Sequence, residues 1–463
     1  CLGQDSNRKS YSILTLSEDV VVDGFLNESI WSKGAPMTNF IQKDPQPGSP
    51  ARNKTEVRIA IDDEYLYVGA YLFDDSPDSI ARQIIKRDGW GYSDWFAMGV
   101  DSYYDRRTCF GFWVNPSGSM RDILHYNDTE RDDSWDAVWE AKTAIHDDGW
   151  SSEMKIPLSQ LRYNPSSTDQ VWGLNFYRRT ARYGEESFWE PVLMETKGFV
   201  SQFGNLTGIR LSKQKKRIEV VPYLAGKNFL EDGLNSDPYW EKNNLSGNLG
   251  IDFKIGVGSN FTLTGTIFPD FGQVEADPAN LNLSAFETFF EERRPFFLEG
   301  TDIFQFGKTR SFSSGGSNIF YSRRIGRKPR GYINEKNTQF EDYPSQTDII
   351  SALKFSGKTK SGFSIGILDA ITREEKATYI DSLGNEKTQP IEPFSNSLVL
   401  RLKKDMDDGK VVLGSFMTHK ANILSTAYLD SSFLKDALVL GADFEYALPD
   451  PSWILSGFAA SSS

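Results

Sequence analysis

The feature that most limits what this chain can become is a side-chain pattern with a period of two. Leu249, Ile251, Phe253 and Ile255 alternate with Gly250, Asp252 and Lys254, and Phe261, Leu263, Gly265 and Ile267 alternate with Thr262, Thr264 and Thr266. Leu398, Leu400 and Leu402, and later Leu438, Leu440, Ala442 and Phe444, repeat the beat. Side chains that change face at every residue belong to strands, here with one apolar face and one of small or charged residues. The first half does the same in shorter pieces, Val57 to Ile61 and Tyr65 to Phe73 among them, separated by Asp-Gly and Asn-Pro-Ser-Gly turns. That spacing predicts an antiparallel β-sandwich. Only Pro77 to Ile85 and Leu158 to Tyr163 read as helical turns. The expected class is all-β, and a 13% aromatic content suits it.

With 463 residues the chain predicts two or more domains. A net charge of -13 argues against a nucleic-acid partner, which needs a clustered basic face. Mean hydropathy is -0.46, and no stretch approaches the roughly 18 to 20 apolar residues of a membrane helix. That excludes helical spans alone. A transmembrane barrel uses strands of about 9 to 11 residues, apolar at alternate positions, and leaves such a composition unmarked. Cys1 and Cys109 make no disulfide framework, and His125, His146 and His419 lack metal-ligand or triad spacing. The chain opens on Cys1, which reads either as a lipid-modified cysteine or as the trimmed end of a secretory leader.

Residues 1–17 are polar and expected to be loose; the sandwich is expected over 18–211. Within that span VDGFLNESIW (Val22 to Trp31), AIDDEYLYVGAYLFD (Ala60 to Asp74), GWSSEMKIPLSQLRY (Gly149 to Tyr163) and WGLNFYRR (Trp172 to Arg179) follow one another. Together they resemble the family 9 carbohydrate-binding module, in the divergent form attached to bacterial outer-membrane proteins. Sugar recognition needs flat aromatic faces and planar polar groups. Trp90, Tyr92, Trp95, Trp135, Trp139, Arg178, Arg182 and Glu190 are the candidates, with Trp90 and Trp135 expected to be exposed because their surroundings, RDGWGYSD and ERDDSWD, are polar. Trp31, Trp113, Trp150 and Trp172 sit in strand-like text and are expected in the core. The resemblance also implies structural calcium, for which Asp62, Asp63, Asp74, Asp75, Asp101 and Asp105 are the candidate ligands, although no EF-hand spacing joins them.

Over 212–463 the alternation fits either a soluble sandwich or a membrane barrel. Faces of Gly, Ser, Thr and charge opposite apolar faces, with long polar connections such as Arg373 to Ser395, favour the barrel. Thr266 to Gly300 breaks the pattern: seven phenylalanines are interleaved with acids and with Arg293 and Arg294, and no single period accounts for them. This stretch and IFYSRRIGR (Ile319 to Arg327) resemble the uncharacterised outer-membrane barrel domain that follows family 9-like modules in Bacteroidota-type bacteria. The resemblance implies a lumenal insert over about 270–315, in which Glu287, Glu291, Arg293, Arg294 and Glu299 pair with one another and with Arg323 and Arg324. Only roughly nine or ten candidate spanning strands precede the end, so the barrel is expected to be incomplete and the natural chain to continue past Ser463.

The expectation is an outer-membrane protein of a Gram-negative bacterium, with a periplasmic sandwich, acting in glycan binding or uptake or as a subunit of an outer-membrane complex. Its partners are membrane lipid, a glycan and other envelope proteins. The alternatives are a module that has exchanged sugar binding for protein binding, and a glycoside hydrolase. The hydrolase needs two carboxylates about 5 to 10 Å apart across a cleft, and no pair stands out among the acids.

Overall fold

The computed structural model describes residues 8–16, 19–126, 128–133, 135–166, 168–193, 198–213, 217–230, 237–240, 243–258, 261–269, 292, 294–298, 300–307, 319–359, 361–407, 410–448 and 453–463. The chain divides into two compact units, Cys1–Arg217 and Ile218–Ser463.

The first unit carries β1 (Ser10–Ser12), β2 (Leu14–Thr15), β3 (Ile41–Asp44), β4 (Thr55–Ile61), β5 (Tyr65–Phe73), β6 (Trp95–Asp101), β7 (Cys109–Val114), β8 (Met120–Tyr126), β9 (Glu130–Asp132), β10 (Glu140–His146), β11 (Gly149–Pro157), β12 (Gln170–Thr180), β13 (Glu185–Phe188) and β14 (Gly204–Ile209). One sheet runs β1, β14, β12, β6, β7, β8, β9, with β13 beside β12 and β3 beside β13; the other runs β10, β11, β5, β4, β2. Val57, Ile59, Val68 and Met154 of the smaller sheet share one core with Phe96, Met98, Phe112, Leu174 and Phe176 of the larger. The sheets therefore pack face to face, and each such side chain contributes about 1.5 to 3 kcal/mol by leaving water. Helix is confined to short turns, including Pro77–Ser79 and Leu158–Gln160.

The outer face of the smaller sheet is also covered. Ile30 and Trp31, in the turn Ser29–Ser32, pack with Val20 on Ala60 and Tyr67. Glu153 of β11, wholly buried, fastens this cover: Oε2 accepts the backbone N–H groups of Asp23 and Gly24, both at 2.9 Å, and Oε1 accepts Trp31 Nε1 at 2.8 Å. Gly24 has φ of 95°, and a β-carbon there would lie 2.8 Å from the Thr143 backbone, so glycine is required twice over. The VDGFLNESIW and GWSSEMKIP motifs thus meet in a structural lock.

The second unit carries β15 (Ile218–Leu230), β16 (Asn243–Val257), β17 (Phe261–Ile267), β18 (Phe340–Asp342), β19 (Ile349–Lys358), β20 (Phe363–Thr372), β21 (Glu375–Ile380), β22 (Glu386–Glu392), β23 (Phe394–Met406), β24 (Val411–Ile423), β25 (Asp436–Ala447) and β26 (Ile454–Ser462). Among the described residues nine of these form an antiparallel meander in the order β15, β16, β17, β19, β20, β23, β24, β25, β26, and β18, β21 and β22 form a small separate sheet. The meander is open, with β15 and β26 as its edges. The sequence led us to expect a barrel incomplete at its C-terminal end; among the described residues no sheet closes.

The burial of the meander is inverted relative to a soluble sheet. On β20 the buried positions are Ser364, Gly366, Leu368, Ala370 and Thr372, while Phe363, Ile365, Ile367 and Ile371 are only partly covered. Thr262, Thr264, Thr266, Lys354 and Arg401 are buried, whereas Leu224, Leu245, Leu249 and Leu455 are 79%, 79%, 68% and 56% exposed. The inner face is covered by the short helices Pro295–Leu298 and Thr301–Phe304: Phe296, Phe297, Phe304 and Phe306 pack on Ala352, Leu368, Ala370, Val399 and Phe416. Lys354 Nζ donates to the Phe296 carbonyl at 2.6 Å, and Arg401 is held by both oxygens of Asp443 at 2.5 and 2.7 Å. Among the described residues no helix is long and apolar enough to cross a membrane.

Candidate functional site

The free face of the larger sheet is where open space and varied chemistry coincide. Phe96, Met98, Phe110, Phe112, Leu174 and Phe176 turn to the core, so the pleat sends Ala97, Gly99, Gly111, Trp113, Asn175 and Tyr177 the other way. Register sets them in rows. Tyr177, Ala97, Trp113 and Arg121 are successive partners across β12, β6, β7 and β8, and Asn175, Gly99, Gly111 and Ile123 form the next row. From β13, Phe188 pairs with Tyr177 and Glu186 with Arg179.

Ala97, Gly99 and Gly111 leave the middle of these rows bare, and above them lies a cavity of about 490 Å³. A β-carbon on Gly99 would meet Cys109 Sγ and the Phe203 ring at 3.0 Å, and one on Gly111 would meet the Ile123 carbonyl at 3.3 Å. The walls are aromatic. Trp113 lies 4.7 Å from Tyr177, Tyr177 lies 5.2 Å from Phe188, and Phe199 reaches both Phe188 at 6.2 Å and His125 at 4.8 Å. Trp90, 47% exposed, stacks on the buried Trp95 at 5.3 Å and meets Trp113 edge-on at 6.0 Å.

The polar lining is Lys43, Arg121, Arg131, Asn175, Glu186 and His125. Glu186 lies 3.5 Å from Lys43 and 3.7 Å from Arg179, and Asp133 lies 2.6 Å from Arg121 and 3.1 Å from Arg131. Burial, aided by Arg131, pushes His125 down to about 4, so the ring is neutral at pH 7. Burial and then Asp101 push the Cys109 thiol well up, which leaves it protonated and unsuited to nucleophilic attack. A cavity of this size with aromatic walls and a few polar groups suits a small, partly apolar ligand held by stacking and directional hydrogen bonds.

Of the eight residues named from sequence for sugar binding, Trp90 lines the cavity and Trp95 lies beneath it. Tyr92 is 62% exposed and lies outside the lining. The expected exposure of Trp135 is corrected: it is 4% exposed and packs on Phe110 and Phe112 in the core, with Trp139 beside it. The cause is Asp122, whose carboxylate accepts Ala137 N–H at 2.6 Å and Trp139 Nε1 at 3.1 Å and so holds this segment over the core. Arg178 faces the core, where it donates to the Lys54 and Phe73 carbonyls at 2.9 and 2.6 Å and to Thr55 Oγ1 at 2.9 Å. Glu190 accepts Lys9 N–H at 2.8 Å.

The six aspartates named for calcium are held by other partners or exposed. Asp74 is clamped by Arg182 at 2.6 and 2.9 Å, and Asp75 takes the same arginine at 2.8 Å. Asp62 closes a turn by accepting Glu64 and Tyr65 N–H, both at 2.6 Å, and Asp63 is exposed. Asp101 accepts Asp105 and Arg106 N–H, while Asp105 accepts Arg107 and Thr108 N–H. Among the described residues no three His, Cys, Asp or Glu side chains are grouped to hold an ion.

In the second unit Arg294 lies beside a carboxylate, that of Glu292, at 2.7 and 2.8 Å, and donates further to the Ile325 and Ser322 carbonyls. Arg323 and Arg324 stand in the adjacent turn Ser322–Arg324. Glu287, Glu291, Arg293 and Glu299 lie outside the described residues, as does Cys1.

Comparison with known proteins adds one family. A domain of unknown function, DUF5916, matches residues 215–416. No curated protein matches the chain. Among solved structures, a family 9 carbohydrate-binding module from Caldicellulosiruptor kristjanssonii in complex with cellotriose is 17% identical, covers 43% of this chain and 92% of its own, and has a TM-score of 0.32. A putative carbohydrate-binding protein from Bacteroides uniformis is 16% identical over 43% of this chain and 99% of its own, with a TM-score of 0.36. The fold described above rests on its own sheets and core, not on these likenesses.

Sequence reasoning missed Tyr177, Phe188, Phe199, Arg121 and Arg131, and placed Trp113 in the core. The usable signal was parity: in FAMGV and CFGFWV the glycines and Trp113 fall on the positions left over once the phenylalanines take the core.

Proposed function

We propose that this protein captures glycans at the outer membrane of a Gram-negative bacterium, through the cavity of a periplasmic sandwich attached to a membrane-embedded β-barrel. The observation that carries the glycan reading is the bare floor of Ala97, Gly99 and Gly111 under aromatic walls, with Trp90 half exposed at the rim. A pyranose has an apolar face that stacks on such rings and a hydroxyl edge that meets groups like Asn175, Glu186 and Lys43. The membrane reading is supported by the second unit, whose strands bury Thr, Lys and Arg and expose Leu, the arrangement of a sheet with lipid outside and a polar interior. Strands of 13 and 15 residues, β15 and β16, are long enough to cross a bilayer at a tilt.

The test is calorimetric titration of the full chain in detergent with oligosaccharides of varied sugar and linkage. At least one class is expected to bind, and Trp90→Ala to weaken it about tenfold or more while leaving the melting temperature nearly unchanged. Binding by no oligosaccharide, or an affinity indifferent to Trp90→Ala, refutes the reading.

A further inference from the structure

The cavity is positively charged in a chain whose net charge is -13. Three cations line it and a fourth, Arg179, lies beside Trp90, and the four share two carboxylates. Arg121 and Arg131 both lean on Asp133, at 2.6 and 3.1 Å, while Lys43 and Arg179 both approach Glu186, at 3.5 and 3.7 Å. Asp44, 3.7 Å from Lys43 and half exposed, offsets only part of the excess. Neither pair is saturated: the contacts at Glu186 are long, and Nε of both Arg121 and Arg179 has no acceptor among the described residues. Arg121 is also 8% exposed, so its charge is felt through little water.

The same guanidiniums lie against the ring best placed to stack a sugar, with Cζ of Arg121 and Arg179 at 5.5 and 5.1 Å from Trp90. A neutral sugar gives this excess charge nothing to complete. A carboxylate or sulfate on a pyranose does, since its planar or tripodal oxygens match guanidinium donors.

We infer that the cavity selects glycans bearing an anionic substituent, a uronate carboxylate or a sulfate ester, with the anion received by Arg121 and Arg131 and the sugar ring held against Trp90. This rests on the glycan reading above and narrows it to a substrate class.

The experiment titrates the full chain in detergent with a neutral gluco-oligosaccharide, an oligogalacturonate and a sulfated galacto-oligosaccharide of equal length, at low and high salt. At least one anionic sugar is expected to bind about tenfold or more tighter than the neutral one, with the advantage shrinking as salt rises. The two anionic arms identify the substituent. Arg131→Gln, at an exposed position, is expected to remove most of that advantage. Equal or tighter binding of the neutral sugar, or an anionic preference that survives Arg131→Gln intact, overturns the inference while the glycan reading stands. Binding by none of the three, together with silence across the wider panel, defeats both.

Discussion

Glu153 offers the sharpest test of the physical account, because two of its three accepted hydrogen bonds are buried and all three reach the segment that covers the smaller sheet. Oε2 serves the N–H groups of Asp23 and Gly24, and Oε1 serves Trp31 Nε1. Glu153→Ala strands three donors at once, two of them buried. Each hydrogen bond to a charged acceptor contributes about 1.5 to 3 kcal/mol, but three on one carboxylate are not additive and the ionised group is itself costly to bury, so the net loss is about 3 to 5 kcal/mol. Glu153→Gln keeps one amide oxygen for the two backbone donors and turns its NH2 toward Trp31 Nε1, leaving the indole N–H and that NH2 both without an acceptor at a cost of about 1 to 3 kcal/mol. The assay is denaturant unfolding followed by tryptophan fluorescence, with amide exchange read at Asp23 and Gly24. Glu153→Ala is expected to expose both amides, and Glu153→Gln to keep them protected. Trp31→Phe removes the indole donor, so Glu153→Gln should cost less in that background than in the parent; the difference isolates that one hydrogen bond. Stability of Glu153→Ala within about 1 kcal/mol of the parent, or equal losses for Ala and Gln, would refute the lock.

Two further outcomes follow from the site and from the second unit. His125 is held from its ordinary 6.5 down to about 4, so the fold prefers the neutral ring; its contribution is complete above pH 6.5 and is lost as pH falls toward 4, by about 3 kcal/mol at most. Unfolding curves across that window should lose this part of their slope in His125→Gln, and identical slopes refute the assignment. On the exposed face of the meander, Leu249→Lys should destabilise the protein in lipid by about 2 to 4 kcal/mol if the position lies near the bilayer midplane. A Leu249→Lys protein that folds and stays monomeric in buffer without detergent contradicts the membrane reading.

Much of the site was readable only as parity. FAMGV and CFGFWV announce that Ala97, Gly99 and Gly111 lie opposite a phenylalanine face, but not that the two strands are neighbours with Gly99 beside Gly111. That juxtaposition makes the cavity, and it depends on a pairing register that no local window contains. Arg178 and Arg179 illustrate the same limit: adjacent and chemically identical, one is bound to core carbonyls and the other stands over Trp90. Trp135 misled because acids surround it in sequence, whereas burial follows from where Asp122 anchors the next turn.

The amino-acid sequence alone determined the all-β class, the short strands of the first half, the long alternating strands of the second and the aperiodic phenylalanine-rich stretch that interrupts the latter. These are local properties, because the period of side-chain direction is written residue by residue. Tertiary structure decided which face meets which. It made Glu153 a lock, joined Asp74 to Arg182, and turned the polar face of the meander inward onto Phe296 and Phe306. Such choices depend on residues distant in the chain, and only packing brings them together.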